Sequence, residues 1–524
     1  MGLRRLPPFA ALAASGAASG LLLSFAYPPA GWWPLSAVAL MPFFLLLILL
    51  RHQLTWRLVW LAAFVLGVAW HLSSVWWVGY VTVAGMLALV MIVAILLASS
   101  LTLGWWLVRS GLHPFIALTA GWMIFEALAT YVLTGFPWLL LGYAWRPWLT
   151  MIQVADIAGV YAVSMLVVLI NAAFAQSCAG MLERWSFMRR QAGVLIMVVV
   201  YGSYCAYGSW RLGRLGTAQP EREITLACIQ ANIPSLVKHD MTKDSEILER
   251  QCGMSFDAAG KRPDVLVWSE TAVPGYLNER MLSYHAVTNL VRSTGIPLLT
   301  GLPWCELDRR GEPVYYNSVG IVGTNGTLGC RYDKMHLVMF GEYVPCERLL
   351  PFLKKVTPIA GSFTPGAAPC GLALDTVSGT VIIGPLICFE DVFGYVARAM
   401  ARAGADVLVN FTNDGWFRSS PEPYQHAALS AFRAIETRRP LVRATNSGIS
   451  TAIDRMGRTT AVLDLHGRKT EVGGVMHATV AIHPPMQTFY ALYGDWLLTV
   501  WVAFAAVAMT RAVVRRRLMA TLTQ

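Results

Sequence analysis

Charged residues are scarce in this chain, and acidic residues are almost absent from its two ends. Only 14% of the 524 residues are charged, while 56% are hydrophobic and the mean hydropathy is +0.52. This composition is too apolar for a wholly soluble protein of such length. All but four of the 30 acidic residues lie between residues 218 and 486; the four are Glu126, Asp156, Glu183 and Asp495. The sequence therefore predicts a water-facing middle region between two membrane regions.

Closely spaced metal ligands are also missing. The nine cysteines are scattered without a C-x-x-C pair, and no two histidines have ligand spacing. We therefore predict no metal site and no cofactor. Seven cysteines fall in the middle region, where an oxidising compartment would allow some to pair, although the sequence does not specify which. There is no G-x-S-x-G motif either, which argues against a serine hydrolase.

Long apolar runs occupy both ends of the chain. Each is close to the roughly 20 residues that a helix needs to cross a bilayer. Seven precede residue 218 and one follows the middle region; they lie near 9–27, 33–50, 57–75, 84–108, 114–134, 152–177, 191–209 and 490–511. We predict about eight transmembrane helices, with an N-terminal membrane domain (1–217), a catalytic domain (218–486), and a final helix with a basic tail (487–524).

The net charge of +11 is explained by membrane topology rather than by nucleic-acid binding. Basic residues stand at the ends of the apolar runs and are not gathered on one face with interleaved aromatic residues. Short cytoplasmic loops retain Lys and Arg. With eight spans, most loop arginines fall on one side: Arg4, Arg5, Arg51, Arg57, Arg109, Arg184, Arg189, Arg190, Arg511 and Arg515 to Arg517. We therefore predict cytoplasmic termini and an extracytoplasmic middle region.

The middle region alternates short β-rich runs with helical stretches. The candidate strands are 223–229, 264–268, 297–302, 314–322, 381–388, 406–411, 441–445 and 472–482. The candidate helices are 241–258, 279–294, 391–403 and 421–437. This alternation predicts an α/β domain with a buried sheet.

Three residues of the middle region have the side chains that acyl transfer requires. They are Glu270 in VLVWSETAVPGY, Lys334 in RYDKMHLVMFGEYVP and Cys388 in VIIGPLICFEDVF. A carboxylate can take the proton of a thiol, and a lysine can stabilise the developing oxyanion. Cys388 ends an apolar run, so we place its thiol at a strand-to-helix turn, with the backbone amide of Phe389 as a second oxyanion donor. Taken alone, such a cysteine is more often an inert core thiol.

The surrounding motifs carry a family resemblance. WSETAVP, YDKMHLVMFGEYVP and ICFE, followed by NFTNDGWF and RATNSGIS, resemble the carbon-nitrogen hydrolase (nitrilase) superfamily with its Glu-Lys-Cys triad. FPWLLLGYA (136–144) and DIAGVYAVS (156–164) extend the likeness to the apolipoprotein N-acyltransferase family over nearly the whole chain. The resemblance implies an α-β-β-α sandwich for the catalytic domain and a bacterial inner-membrane location, with that domain in the periplasm.

The resemblance also implies supporting residues. Glu342 is the candidate carboxylate partner of Lys334, and Glu390 is assigned an orienting role beside Cys388; either could instead be an ordinary cap or ion-pair residue. Substrate-binding candidates are Phe340, Tyr343, Trp416 and His239, of which His239 stands where relatives commonly have tryptophan. Met339 and Phe389 depart from the usual proline and tyrosine, but neither change removes a catalytic group.

Other charged residues leave alternatives open. Arg438, Arg439 and Arg443 could contact a lipid phosphate or pair with Glu436 or Asp414. Glu126 and Asp156, inside predicted spans, are costly there and are candidates for function, although a helix-to-helix hydrogen bond is an equal alternative.

By resemblance, the reaction passes an acyl chain from a phospholipid, typically phosphatidylethanolamine, through a Cys388 thioester to the diacylglyceryl-cysteine of a lipoprotein. The expected partners are these two lipids and the bilayer, without nucleic acid, and a monomer suffices because one chain has every group. A membrane-tethered amidase, in which water resolves the thioester, is the alternative. A carrier with an inactive domain is disfavoured because Glu270, Lys334 and Cys388 are all present.

Overall fold

The computed structural model describes residues 7–238, 240–344 and 362–522, and the chain divides into two compact units. Unit 1 comprises Met1–Gly79, Val83–Gly213 and Tyr493–Gln524. Unit 2 comprises Tyr80–Thr82 and Arg214–Leu492.

Unit 1 is helical where it is described. Its helices up to the start of unit 2 are α1 (Pro8–Ser24), α2 (Met41–Leu49), α3 (Trp56–Val75), α4 (Val83–Arg109), α5 (Pro114–Tyr131), α6 (Leu141–Ala144), α7 (Leu149–Ile152), α8 (Ala155–Ala158), α9 (Val160–Leu182) and α10 (Phe187–Gly216). Glycines allow close packing of α4 on α5: a Cβ on Gly104 would lie 2.9 Å from the Ala117 oxygen, and one on Gly121 would lie 2.8 Å from the Ser100 oxygen.

Six helices among the described residues are long and apolar enough to cross a membrane. They are Trp56–Tyr80, Val83–Arg109, Pro114–Tyr131, Val160–Leu182, Phe187–Gly216 and Trp496–Leu518. The runs predicted near 9–27 and 33–50 form the shorter apolar helices Pro8–Ser24 and Trp33–Leu49. The run predicted near 152–177 is a continuous helix only from Val160, because Gly159 interrupts it with φ +67°. The count of eight spans stays a prediction.

The described residues of unit 2 form twelve strands and most of the remaining helices. The strands are β1 (Arg222–Gln230), β2 (Val265–Trp268), β3 (Leu298–Leu307), β4 (Pro313–Val322), β5 (Leu328–Asp333), β6 (Leu372–Thr376), β7 (Gly379–Ile387), β8 (Val407–Thr412), β9 (Leu441–Thr445), β10 (Thr451–Ile453), β11 (Thr459–Val462) and β12 (Gly474–Ile482). The helices are α11 (Ser235–Lys238), α12 (Asp244–Ala259), α13 (Met281–Thr294), α14 (Gly394–Arg402), α15 (Glu422–Thr437) and α16 (Phe489–Tyr493); α17 (Trp496–Leu522) then returns to unit 1.

The predicted strands and helices of the middle region are confirmed, and four strands were missed. The missed strands β5, β6, β10 and β11 are short or partly exposed, so their hydrophobic signal is weak. By contrast, all four residues of β2 are buried, as the continuous apolar run of a parallel strand predicts.

The described strands form two six-stranded sheets that pack face to face. Their orders are β12-β1-β2-β3-β4-β5 and β11-β10-β9-β8-β7-β6. The strands β1, β2 and β3 run parallel in the first sheet, as do β7, β8 and β9 in the second. The first sheet packs against α12 and α13, and the second against α14 and α15. The predicted α-β-β-α sandwich is confirmed.

Candidate active site

The three candidate residues lie just beyond the ends of three strands. Glu270 follows β2, Lys334 is the first residue after β5, and Cys388 is the first residue after β7. The two packed sheets bring them together. Lys334 Nζ lies 3.8 Å from Glu270 Oε1, and the charges of both residues act on the Cys388 thiol.

The Lys334 ammonium is buried between two carboxylates. Its Nζ lies 2.8 Å from Glu342 Oε2, so the predicted partner is in contact. Burial opposes the charge on Lys334, but the attraction of Glu342, with those of Cys388 and Glu270, outweighs it and raises the pKa of the lysine above its usual value. Lys334 is therefore a fixed positive charge at neutral pH.

A residue that sequence analysis missed joins the two carboxylates. Asn317 on β4 donates from Nδ2 to Glu270 Oε1 and to Glu342 Oε1, at 2.8 Å each. The available signal was a polar residue at the start of the buried part of β4. We call Glu270, Asn317, Lys334 and Glu342 the lysine cluster.

The second oxygen of Glu270 is also held. The backbone N–H of Asn413 donates to Glu270 Oε2 at 3.1 Å. The neighbouring strand carries Gly301, where a Cβ would lie only 2.7 Å from the Cα of Glu270. The absence of a side chain at Gly301 therefore allows the backbone at Glu270 to pack closely against β3.

Cys388 occupies a strained turn between β7 and a 3-10 helix, Cys388–Val392. Its φ of +52° lies in the left-handed region, which is unusual for a residue with a side chain. The Asn410 amide stabilises this turn by donating to the Cys388 carbonyl at 2.9 Å. The predicted strand-to-helix turn is therefore confirmed.

The surroundings of the thiol favour its protonated form. Burial raises the pKa of Cys388 well above its usual value, and the negative charge of Glu270 adds to this. Lys334 and a hydrogen bond from Thr412 act in the opposite direction. Forming the thiolate therefore requires a base, and Glu270 is the nearby carboxylate with that chemistry.

Glu390 connects the turn at Cys388 with the segment that follows Lys334. Its Oε2 accepts the Ile387 N–H at 2.8 Å, while its Oε1 accepts the N–H groups of Met335 (2.8 Å) and His336 (3.0 Å) and the Tyr332 hydroxyl (2.8 Å). Burial raises the pKa of this carboxyl to about 7, although the N–H groups of Ile387 and His336, the charge of Lys334 and the Tyr332 hydroxyl oppose the shift. The contacts agree with an orienting role.

Two of the predicted substrate-binding residues, Phe340 and Tyr343, lie close to the lysine cluster in the chain. Phe340, with φ +61°, donates its N–H to the Tyr343 carbonyl at 2.8 Å, within the loop that carries Glu342. Trp416 is exposed on the turn Asp414–Phe417. His239 lies outside the described residues. The Phe389 ring packs edge-on against Phe393, with centroids 5.2 Å apart.

A second amine that sequence analysis did not assign lies beside the lysine cluster. Lys238, at the end of α11, donates from Nζ to the backbone oxygen of Glu270 at 2.7 Å. Burial lowers the pKa of Lys238 to about 8, although Glu270 and Cys388 oppose the shift. This ammonium adds positive charge on the Glu270 side of the thiol.

The three candidate lipid-binding arginines are buried and pair within the protein. Arg443 contacts Asp391 at 2.5 Å and Asp414 at 3.4 Å, while Arg438 and Arg439 donate to backbone carbonyls. All three are at most 4% exposed. The lipid-phosphate alternative is therefore wrong, and the predicted pairing with Asp414 is confirmed for Arg443.

Arg443 belongs to a second ionic group, the histidine cluster, which contains Asp391, Asp414, Glu422, His426 and Arg443. His426 lies 2.7 Å from Asp391, 3.2 Å from Asp414 and 3.3 Å from Glu422. Asp414, Glu422 and His426 are close enough to hold a metal ion. However, Arg443 and His426 already supply positive charge there.

The directions of the pKa changes agree with mutual stabilisation of opposite charges inside the histidine cluster. Burial disfavours the charges of Asp391, Asp414 and His426, yet His426 and Arg443 lower the pKa values of the two acids, and these acids raise the pKa of His426. Burial, together with Asp414, raises the pKa of Glu422 to about 8. The raised pKa favours the neutral form of Glu422, so Asp391 and Asp414 are the two acids that face the two cations.

Glu126 and Asp156 of unit 1 make helix-to-helix hydrogen bonds. Asp156 on α8 accepts from the Tyr207 hydroxyl at 2.7 Å and from Arg211 Nε at 2.8 Å, both on α10. Glu126 on α5 accepts the N–H of Leu141 at 3.1 Å. The bonding alternative left open by the sequence is confirmed for both residues.

Comparison with known proteins agrees with this architecture. Residues 19–173 match the model of the apolipoprotein N-acyltransferase N-terminal domain, and residues 225–481 match that of carbon-nitrogen hydrolase. A relative named apolipoprotein N-acyltransferase from Geobacter metallireducens is 35% identical, with 95% of this chain and 94% of the relative covered. Relatives of the same name from Brucella melitensis (31% identical, 84% and 83% covered) and Allorhizobium ampelinum (30%, 95% and 96%) are also similar. The chain therefore belongs to the apolipoprotein N-acyltransferase family.

Proposed function

We propose that this protein transfers an acyl chain from a phospholipid, typically phosphatidylethanolamine, to the α-amino group of the N-terminal diacylglyceryl-cysteine of lipoproteins. The observation that carries the proposal is the lysine cluster, whose buried Lys334 and Glu270 both act on the Cys388 thiol. Membership of the apolipoprotein N-acyltransferase family supports the choice of substrates.

The first half-reaction acylates Cys388. Glu270 takes the thiol proton, and the thiolate attacks the ester carbonyl of the phospholipid. Lys334 and the Phe389 amide stabilise the oxyanion of the tetrahedral intermediate. The ester C–O bond then breaks, Glu270 returns its proton to the departing glycerol oxygen, and a lysophospholipid leaves.

The second half-reaction releases the acyl chain as an amide. The amine of the lipoprotein attacks the thioester carbonyl, and Glu270 takes a proton from the attacking nitrogen. The C–S bond breaks, and the proton on Glu270 restores the thiol. The scheme is therefore ping-pong, with Glu342 holding Lys334 and Glu390 positioning the cysteine turn throughout. Phe340, Tyr343, Trp416 and His239 are proposed to contact the substrates.

We place the protein in the bacterial inner membrane as a monomer. Residues 1–217 and 487–524 form the membrane part, with cytoplasmic termini, and residues 218–486 form a periplasmic catalytic domain. The distribution of loop arginines supports this orientation. Cys330 is exposed and offers a native reporter. A membrane-impermeant maleimide should modify Cys330 in intact spheroplasts, and labelling only after lysis would contradict the orientation.

The reaction is tested with phosphatidylethanolamine that carries a labelled sn-1 acyl chain. Mass spectrometry of the purified full chain should find a hydroxylamine-sensitive adduct on Cys388 and none in Cys388→Ala. Addition of a diacylated lipopeptide should discharge the adduct as a new amide. Label released only to water would instead identify a membrane-tethered hydrolase. Absence of any adduct would overturn the assignment of Cys388 as the nucleophile.

A further inference from the structure

Thr412 stands beside the candidate nucleophile on the neighbouring strand. In the parallel pairing of β7 with β8, Ile387 is opposite Phe411, so the next residues along the two strands are Cys388 and Thr412. The side chain of Thr412 is fully buried, and its hydroxyl lowers the pKa of the Cys388 thiol. The Thr412 hydroxyl therefore lies beside the thiol in the second sheet, whereas the lysine cluster acts on the thiol from the first sheet.

The same hydroxyl touches the histidine cluster. Thr412 Oγ1 donates to Asp414 Oδ1 at 2.8 Å, and that oxygen also lies 3.2 Å from His426 Nδ1. The other oxygen of Asp414 lies 3.4 Å from Arg443. Asp414 therefore keeps two cationic partners when the threonine proton is directed elsewhere.

We propose that Thr412 is a further catalytic residue, whose hydroxyl turns from Asp414 to the Cys388 sulfur when the thiolate forms. The histidine cluster positions it by holding Asp414 in place. This inference rests on the proposed function, because it takes Cys388 as the nucleophile. It also assigns a role to the histidine cluster, which takes no part in the acyl-transfer steps described above.

The hydrogen atoms balance in this step. In the resting state, the Thr412 proton is donated to Asp414, and a lone pair of its oxygen is available to the thiol S–H. When Glu270 takes the thiol proton, the O–H of Thr412 rotates and donates to the sulfur anion. No covalent bond of threonine breaks, and Asp414 retains its contacts with His426 and Arg443. When the thioester forms, the sulfur loses its charge and the hydroxyl returns to Asp414.

Several charges face the thiol, so the effect of Thr412 has to be separated from theirs. Glu270, Lys334 and Lys238 act on it from the first sheet and α11, and Asp414 acts from the turn after β8. Glu390 and Asp391 lie on its own turn. A change confined to the hydroxyl of Thr412 leaves all these charges in place.

The test measures the rate at which iodoacetamide alkylates Cys388 in the full chain as a function of pH, resolved by peptide mass spectrometry. Thr412→Val removes the hydroxyl at nearly constant volume. Because a hydrogen bond to an anion is lost, the midpoint should move upward by about one to two pH units. Thr412→Ser should bring it back toward the wild-type value, a rescue that a purely structural role would not produce.

Thr451→Val is the matched control, since that buried hydroxyl donates to the Ala461 carbonyl at 2.8 Å, away from the thiol. If Thr412→Val lacks a cooperative thermal transition, Thr412→Ala serves in its place. An unchanged or lower midpoint in the folded variant would overturn the role of Thr412. Acylation by labelled phosphatidylethanolamine, measured in the same wild-type sample, separates this result from failure of the proposed function, in which the wild type itself forms no adduct.

Discussion

Two buried ionic groups flank Cys388, and they differ in charge balance and in solvent exposure. In the lysine cluster, two carboxylates share one ammonium, and Glu270 and Glu342 each remain 8% exposed. In the histidine cluster, two ionised acids face two cations, and every member is at most 2% exposed. An acid in excess can accept a proton, whereas a balanced and closed cluster is suited to holding neighbouring groups in place. Similar side chains thus support different tasks.

The largest expected effect comes from removing the cation of the lysine cluster. Lys334→Met leaves Glu270 and Glu342 facing each other and removes an oxyanion stabiliser. We expect acylation of Cys388 to fall by about a hundred- to thousandfold. Single-turnover mass spectrometry of the labelled adduct measures this rate. The exposed Lys261→Met is the control, and an equal loss in both variants would contradict the assignment.

Removal of a cation from the histidine cluster should primarily reduce stability. Arg443→Met leaves Asp391 and Asp414 buried with one fewer partner, which should destabilise the fold by about 3–5 kcal/mol. Arg222→Met breaks the partly exposed pair with Asp406 and should cost about 0–1 kcal/mol. Thermal unfolding in detergent compares the two. A smaller loss in Arg443→Met than in Arg222→Met would refute the contrast between the clusters.

A smaller effect on rate is expected from Asn317→Ala. This change removes one donor from Glu270 and one from Glu342 but keeps every charge. Because hydrogen bonds to charged groups contribute about 1.5–3 kcal/mol, acylation should slow by about ten- to a hundredfold. Asn278→Ala, which removes a bond to the Cys305 carbonyl, should slow it far less. Equal rates in the two variants would show that Asn317 does not orient the carboxylates.

A further expected effect is a pH dependence of stability. The pKa of Glu422 rises from 4.5 to about 8 in the folded protein, so the folded state binds this proton more tightly than the unfolded state. Its contribution to stability is complete below pH 4.5 and is lost as the pH rises to about 8. Glu422→Gln cannot titrate. The stability advantage of wild type over this variant should therefore shrink across that interval, and a constant difference would disprove the shift.

Most of the fold could be predicted because its signals are local. The buried run of β2 and the helical stretch of α15 appear in the sequence at nearly their observed bounds. The short strand β10 and the exposed β11 have weak hydrophobic signals and were missed. The helix α9 was predicted to begin near residue 152, because residues 152–177 were treated as one apolar run. It begins at Val160, since Gly159 interrupts that run.

The sequence by itself determined the distribution of acids, the order of the eight strands with strong hydrophobic signals, and the positions of Glu270 and Cys388 at strand ends; Lys334 follows β5, which was missed. Apart from Glu342, which the family resemblance indicated as the partner of Lys334, only the tertiary structure decided which groups they contact. Asn317 reaches Glu270 across 47 residues, and Arg443 reaches Asp391 across 52. Periodicity and spacing report whether a residue lies on a buried face. Which polar groups meet there depends on the packing of one sheet against the other. That packing buries Arg438, Arg439 and Arg443, which the sequence left as candidates for binding a lipid phosphate.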